Sequence, residues 1–260
     1  MIKANGITFM AGNRNLLNGI NISVSPGQML TIIGANGAGK STLLKLLCGE
    51  HKAYEGSINF HGTNINDIPP AKLAKMRSVL SQQSTVSVSF IVKELVLMGR
   101  YPHFDIRPTP NDMSIVDAVM AETGITHLAN RDYGTLSGGE QQRVQLARVI
   151  AQIWDVPGGF LFLDEPTNGL DLLYQQQLLQ TVRKLADKGY AIISVLHDIN
   201  LASQYADQIL ILKNGYTVAF GSPLEVINCE NIHEAFSIKV KLMECEGFKC
   251  PMVIPSGTLV

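Results

Sequence analysis

The sequence predicts an α/β fold built on a mostly parallel sheet, and three observations predict it. Short apolar runs such as "MLTII" at 29–33, "GFLFLDEP" and "YAIISVLHD" alternate with stretches of helical period such as "LLYQQQLLQTVRKLADKG". A glycine-rich turn, "GANGAGKST", separates the first of these strands from the helix that follows it, the place where open α/β sheets bind ligands. The chain has 260 residues, 46% hydrophobic and 17% charged, which is enough material and the right balance for a sizeable globular core.

Taken in order, "IKANGITFM" and "GINISVSPGQ" alternate apolar and polar residues around turn signals and read as antiparallel strands. "MLTII" is a buried strand and "KSTLLKLLCG" a helix; "GSINFHG" and "SVLSQQ" are further short strands. From Phe90 to Trp154 the pattern is mostly helical, through "FIVKELVLMGR", "MSIVDAVMAETG" and "GGEQQRVQLARVIAQIW". Strands return with "FLFLD", "AIISV" and "QILILKNGYTVAFG", the last turning on Asn-Gly as a hairpin does. Beyond Pro223 come two short helical patterns and an irregular tail. The expected organisation is one domain over residues 1–260: a core from about 1–88 and 155–227, a helical lobe over about 89–154, and a C-terminal extension over about 228–260.

Composition narrows the function. A net charge of −1 and a pI near 6.6 offer no basic surface for nucleic acid. No apolar run approaches the roughly 20 residues that span a bilayer, and the first residues carry no secretory pattern, so the chain reads as cytoplasmic. Cys48, Cys229, Cys245 and Cys250 show no CxxC spacing; Cys245 and Cys250 suit either a metal or disulfide role or reduced thiols.

The chemistry begins at the glycine-rich turn, which fits G-x-x-x-x-G-K-[ST]. Backbone amides of Gly34, Ala35, Asn36, Gly37, Ala38 and Gly39 can turn toward phosphate oxygens, with Thr42 completing the loop. Lys40 brings a point charge to the outer phosphates and Ser41 a hydroxyl for Mg2+. The expected ligand is a nucleoside triphosphate with its magnesium. "FLFLDEP" ends a strand on Asp164, suited to the metal shell, and Glu165, suited to activating a water beyond the terminal phosphate. Gln82 and His197 each follow an apolar strand, where an amide or imidazole can orient that water or touch the γ-phosphate. Asp171 alone reads as a turn or N-cap residue. "TLSGGEQQR", Thr135–Arg143, leads bare glycine amides into a helix and is a second anion site.

Taken together, phosphate loop, Gln82, Leu136–Glu140, Asp164–Glu165, Asp171 and His197 resemble, in that order, the ATP-binding cassette of ABC transporters, over about Ile2 to Ile227. The resemblance implies a P-loop NTPase cassette with an N-terminal antiparallel β subdomain and a helical subdomain. It implies a homodimer packed head to tail, each ATP held between one copy's Gly34–Thr42 loop and the other's Leu136, Ser137, Gly138, Gly139 and Glu140. By the same resemblance Glu165 is the general base, His197 contacts the γ-phosphate, Gln82 links Mg2+ or water to the membrane partner, and Asp171 communicates across the dimer. Ser41, Gln82 and Asp164 form the implied Mg2+ shell. Many cassettes set an aromatic against adenine; this chain has Met10 and Ala11 there, with Phe9 as the expected substitute.

The segment "KELVLMGRYPH", Lys93–His103, resembles importers of ferric siderophores, vitamin B12 and haem; alone it also reads as a helix capped by Gly99 before a Pro-containing loop. "LSGGEQQRVQLARVIAQIW" and "LDEPTNGLDLLYQQQLL" are similar to the ATP-binding subunits of hemin importers, which points to haem as cargo. Implied partners are two integral-membrane permease subunits and, indirectly, a periplasmic or surface substrate-binding protein, with the cassette peripheral on the cytoplasmic face of the inner membrane. Of the other classes sharing the cassette, paired-cassette translation factors carry two cassettes in one chain, where one is read here. DNA-repair and chromosome ATPases insert long coiled coils between the Gln and signature segments, where here about fifty residues intervene without sustained heptads.

Overall fold

In the computed structural model, residues 1–12, 14–81, 90–247 and 250–258 are described. The chain runs β1 (Ile2–Ala11), β2 (Arg14–Val24), β3 (Met29–Gly34), α1 (Lys40–Leu47), β4 (Glu55–Phe60), β5 (Thr63–Asn64), α2 (Pro70–Met76) and β6 (Arg77–Leu80). It continues through α3 (Val92–Leu97), α4 (Pro110–Glu122), α5 (Gly138–Ile153), β7 (Phe160–Asp164), α6 (Leu172–Asp187), β8 (Ala191–Val195) and α7 (Ile199–Tyr205). It closes with β9 (Gln208–Lys213), β10 (Tyr216–Gly221), α8 (Pro223–Val226), α9 (Cys229–Phe236), β11 (Ile238–Met243) and β12 (Met252–Thr258).

The six-stranded sheet has the order β10-β9-β3-β8-β7-β6. Its strands β9, β3, β8, β7 and β6 are parallel, and β10 returns antiparallel through the Asn214-Gly215 turn. Both turn residues have positive φ, 49° and 81°, as the predicted hairpin requires. Every residue of β3, β7 and β8 is buried, which is why these strands read as unbroken apolar runs. Side-chain alternation divides them between two cores. Leu30, Ile32, Phe160, Phe162, Ile193 and Val195 face α1 and the antiparallel sheet β2-β1-β4-β5. There Phe60 packs on Phe160 with ring centroids 4.4 Å apart. Met29, Ile33, Leu161, Leu163 and Ile192 face the other way, toward α3, α4, α5 and α6. The predicted α/β class, with its parallel core, antiparallel N-terminal sheet and helices, is borne out.

Two details differ from expectation. Gly99 caps no helix: it is the second residue of a 3-10 segment, Met98–His103, directly after α3. A Cβ on it would overlap the Arg148 carbonyl oxygen and stand 3.3 Å from Ala151 Cβ, so glycine is there to let this segment lie against α5. The tail expected to be irregular instead forms the β11–β12 hairpin. It docks on α7, where the Asn200 side chain accepts from Val253 N at 2.8 Å and donates to Val253 O at 3.2 Å. Burial alternates along β11, so it is a half-exposed ribbon steadied by its neighbours. Cys245 and Cys250 are free thiols, like Cys48 and Cys229. No helix among the described residues is long and apolar enough to cross a membrane.

Candidate nucleotide site

The site follows from strand register. Ile32 of β3 pairs with Val195 of β8, and Val195 with Asp164 of β7, so three strand ends stand in one row. The backbone continues that pairing past the sheet: Leu196 N donates to Ile32 O at 3.2 Å and Glu165 N to Val195 O at 3.2 Å. Whatever follows Gly34, Asp164 and Val195 therefore emerges together at one carboxyl edge.

After Gly34 the chain turns through Gly37 and Gly39, at φ 79° and 102°, into α1. The loop is held from outside itself. Gly215 N donates to Ala38 O at 3.0 Å, and Asn18 N to Gly215 O at 2.9 Å, so β2 and the β9–β10 turn strap it in place. A Cβ on Gly34 would strike the Leu212 carbonyl oxygen, and one on Gly39 would sit 2.9 Å from Leu16 O. Lys40 is buried and folds back to donate to Gly34 O at 2.9 Å and Ala35 O at 3.1 Å. Burial pulls its ammonium below the ordinary lysine range, against the opposing pull of Glu165 and Asp164.

Ser41 Oγ donates to Asp164 Oδ1 at 3.0 Å. Burial raises the Asp164 carboxyl above its usual value; the Ser41 bond opposes this and the neighbouring Glu165 charge adds to it. His197 Nε2 lies 2.6 Å from Glu165 Oε1, and Asn168 donates to Glu165 Oε2 at 3.2 Å. Glu165 itself sits at φ 51°, a left-handed conformation uncommon for a side-chain-bearing residue. Lys40, Ser41, Asp164, Glu165 and His197 are thus one constellation, as the motifs predict.

Other predicted residues stand apart. The cleft, about 460 Å3, is walled by the loop residues and Glu165 together with Arg14 and Leu16, and none of its described lining comes from Leu136–Glu140. That segment opens α5, where Ser137 and Glu140 close a capping box: Ser137 N and Oγ each donate to Glu140 Oε2 at 2.8 Å. Those bonds, backbone first, hold the Glu140 carboxyl below its usual value. Asp171 caps α6, accepting from Tyr174 N at 3.0 Å. Gln82 lies outside the described residues. Phe9, the expected adenine partner, stacks instead on His51 with centroids 5.7 Å apart. Arg14 and Leu16 occupy the cleft wall; no local pattern marks them, because long-range contacts such as the straps from Asn18 and Gly215 bring β2 to the loop.

A description of the ABC transporter family matches residues 17–168. The chain belongs to the ABC transporter family. As such a cassette it is similar to a hemin import ATP-binding protein, HmuV, of Gloeobacter violaceus, 46% identical over 99% of this chain and 95% of that one. The protein of the same name from Pseudomonas aeruginosa is 41% identical over 98% and 99%. Among solved structures, the cassette resembles a metal-chelate type ABC transporter held inward-facing, with TM-score 0.84, 26% identity and coverage of 98% and 97%. It also resembles a nucleotide-free ATP-binding cassette, with TM-score 0.76, 25% identity and coverage of 91% and 95%. The ABC cassette binds nucleotide and hydrolyses ATP.

Proposed function

We propose that this cassette powers a membrane importer of haem, as a homodimer docked on two permease subunits at the inner face of the cell membrane and fed by a substrate-binding protein outside it. The observation that carries the cargo is the likeness along nearly the whole chain, 46% identity, to a protein named for hemin import. The segments 93–103, 136–154 and 163–179 quoted above support the same reading.

The division of the site supports the dimer. One copy assembles phosphate loop, Asp164, Glu165 and His197 at one edge, while its Leu136–Glu140 amides contribute nothing described to that cleft. Leu136, Ser137, Gly138, Gly139 and Glu140 serve a facing copy's nucleotide, and Asp171, at the start of α6, lies on the same path. Shared nucleotide then acts as the bond between subunits, and hydrolysis removes it.

Ser41 and Asp164, with Gln82, hold Mg2+. A hydroxyl and a desolvated carboxylate 3.0 Å apart are hard oxygen donors of the kind Mg2+ takes. When bound, the ion would supply charge neutralisation for the phosphates. Glu165 is the general base, and in the resting chain His197 and Asn168 occupy its two oxygens. The base is released when His197 turns to the γ-phosphate. Arg14 and Leu16 take the adenine, a guanidinium and an apolar side chain serving in place of an aromatic ring.

The test is to purify the cassette with its permease in lipid discs and measure ATPase activity with a binding protein loaded with haem, a ferric siderophore or vitamin B12. Haem alone should stimulate. Stimulation by either of the others, with none by haem, overturns the cargo.

A further inference from the structure

Away from the nucleotide cleft, a cavity of about 350 Å3 opens where the end of α4 meets α5 and α6. Its volume falls within the range, roughly 300–1,000 Å3, of small-molecule sites. Two cations line it, Arg143 from α5 and Lys184 from the last turn of α6. Glu122 is the one acid on the wall among the described residues, and its charge is already taken by Lys188 at 2.7 Å. The wall therefore presents a net positive charge, which the Glu140 carboxylate behind Arg143 offsets only from outside the cavity lining.

Arg143 is held ready. Its guanidinium lies 4.8 Å above the Tyr174 ring, which fixes its plane. Its Nε is buried and has no hydrogen-bond partner among the described residues. A planar guanidinium held in one orientation is the arrangement that receives an oxyanion in-plane, and an ammonium at the other side adds a point charge. The amide of Gln177 supplies a neutral donor between them, while that of Gln180 bonds the Tyr205 hydroxyl.

We propose that this cavity binds a small dianion of the phosphate class, inorganic phosphate or a phosphate monoester, with Arg143 and Lys184 as its two cationic contacts. Occupancy would join α5, which begins at Ser137–Glu140, to α6, which begins at Asp171. The anion thereby selects one relative placement of the two helices, and so bears on the two segments assigned to the dimer contact.

The experiment is calorimetric titration of the full chain with inorganic phosphate, and separately with glycerol 3-phosphate. The nucleotide cleft is first filled with a saturating, non-hydrolysable ATP analogue and Mg2+, so that neither probe can enter the phosphate loop. One equivalent per chain should bind with a dissociation constant of about 1 mM or tighter. The tighter of the two probes identifies the source of the phosphate. Lys184→Glu, at an exposed position, should leave the thermal midpoint in place and weaken binding at least tenfold, and Lys184→Arg should keep it. Absence of binding with the cleft filled, or binding that Lys184→Glu leaves unchanged, overturns the proposal.

Discussion

Replacing Arg100 with methionine keeps the volume of a long side chain and removes a cation from one of the driest places in the molecule. The Arg100 and Asp112 side chains are 2% and 3% exposed. Arg100 Nε donates to Asp112 at 2.9 Å, its two terminal nitrogens take both Asp155 oxygens at 2.7 and 3.1 Å, and one of them also donates to Ala151 O at 2.9 Å. This fork fastens the Met98–His103 segment to α4 and α5. Breaking a buried pair by removing one partner costs about 3–5 kcal/mol. The Asp155 side chain is 40% exposed and regains water, and Asp112 keeps its Thr109 bonds at 2.6 and 2.9 Å, so the lower end applies. At about 2.1 cal/mol/K per residue, unfolding 260 residues carries about 0.5 kcal/mol/K. A loss of about 3 kcal/mol then lowers the melting temperature by about 6 °C. Scanning calorimetry on the refoldable chain reads this directly. The double variant Arg100→Met, Asp112→Asn removes the stranded charge while keeping a cap for α4, and should recover at least half of the loss. A single variant melting within about 1 °C of the parent would refute the reasoning.

The same pair sets an acid limit. Burial raises the Asp112 carboxyl, but the Thr109 bonds and Arg100 outweigh it and hold the group below its usual value. Its contribution is therefore complete above pH about 4 and is lost as pH falls through the lower folded-state value, so the gap between parent and Arg100→Met should narrow in an acid titration. Glu165→Gln should bind ATP and hydrolyse it at least about a hundredfold more slowly in a phosphate-release assay; near-normal turnover places the base elsewhere. Ser137→Arg should leave nucleotide binding by each monomer intact and abolish ATP-induced dimerisation in light scattering, and a mutant that still pairs sinks the facing-copy role. Gly99→Ala must push the Met98–His103 segment off the Arg148 carbonyl, at a cost of about 1–3 kcal/mol in urea unfolding.

What the sequence by itself determined is the chemistry carried by neighbours in the chain. The phosphate loop between strand and helix, the acids ending "FLFLD" and the Asn214-Gly215 hairpin all depend on contacts within a few residues, so each was legible as a short pattern. Tertiary structure decided which of these patterns meet. The parallel register of β3, β8 and β7 brings Ser41 to Asp164 and His197 to Glu165, and no local rule states that register. It also turned Phe9 onto His51, put Arg14 and Leu16 on the cleft wall, made Gly99 a contact glycine and folded the tail into a hairpin on α7. Each of those outcomes rests on a partner tens of residues away. Short patterns specify what a side chain is able to do, and long-range packing specifies what it is able to reach.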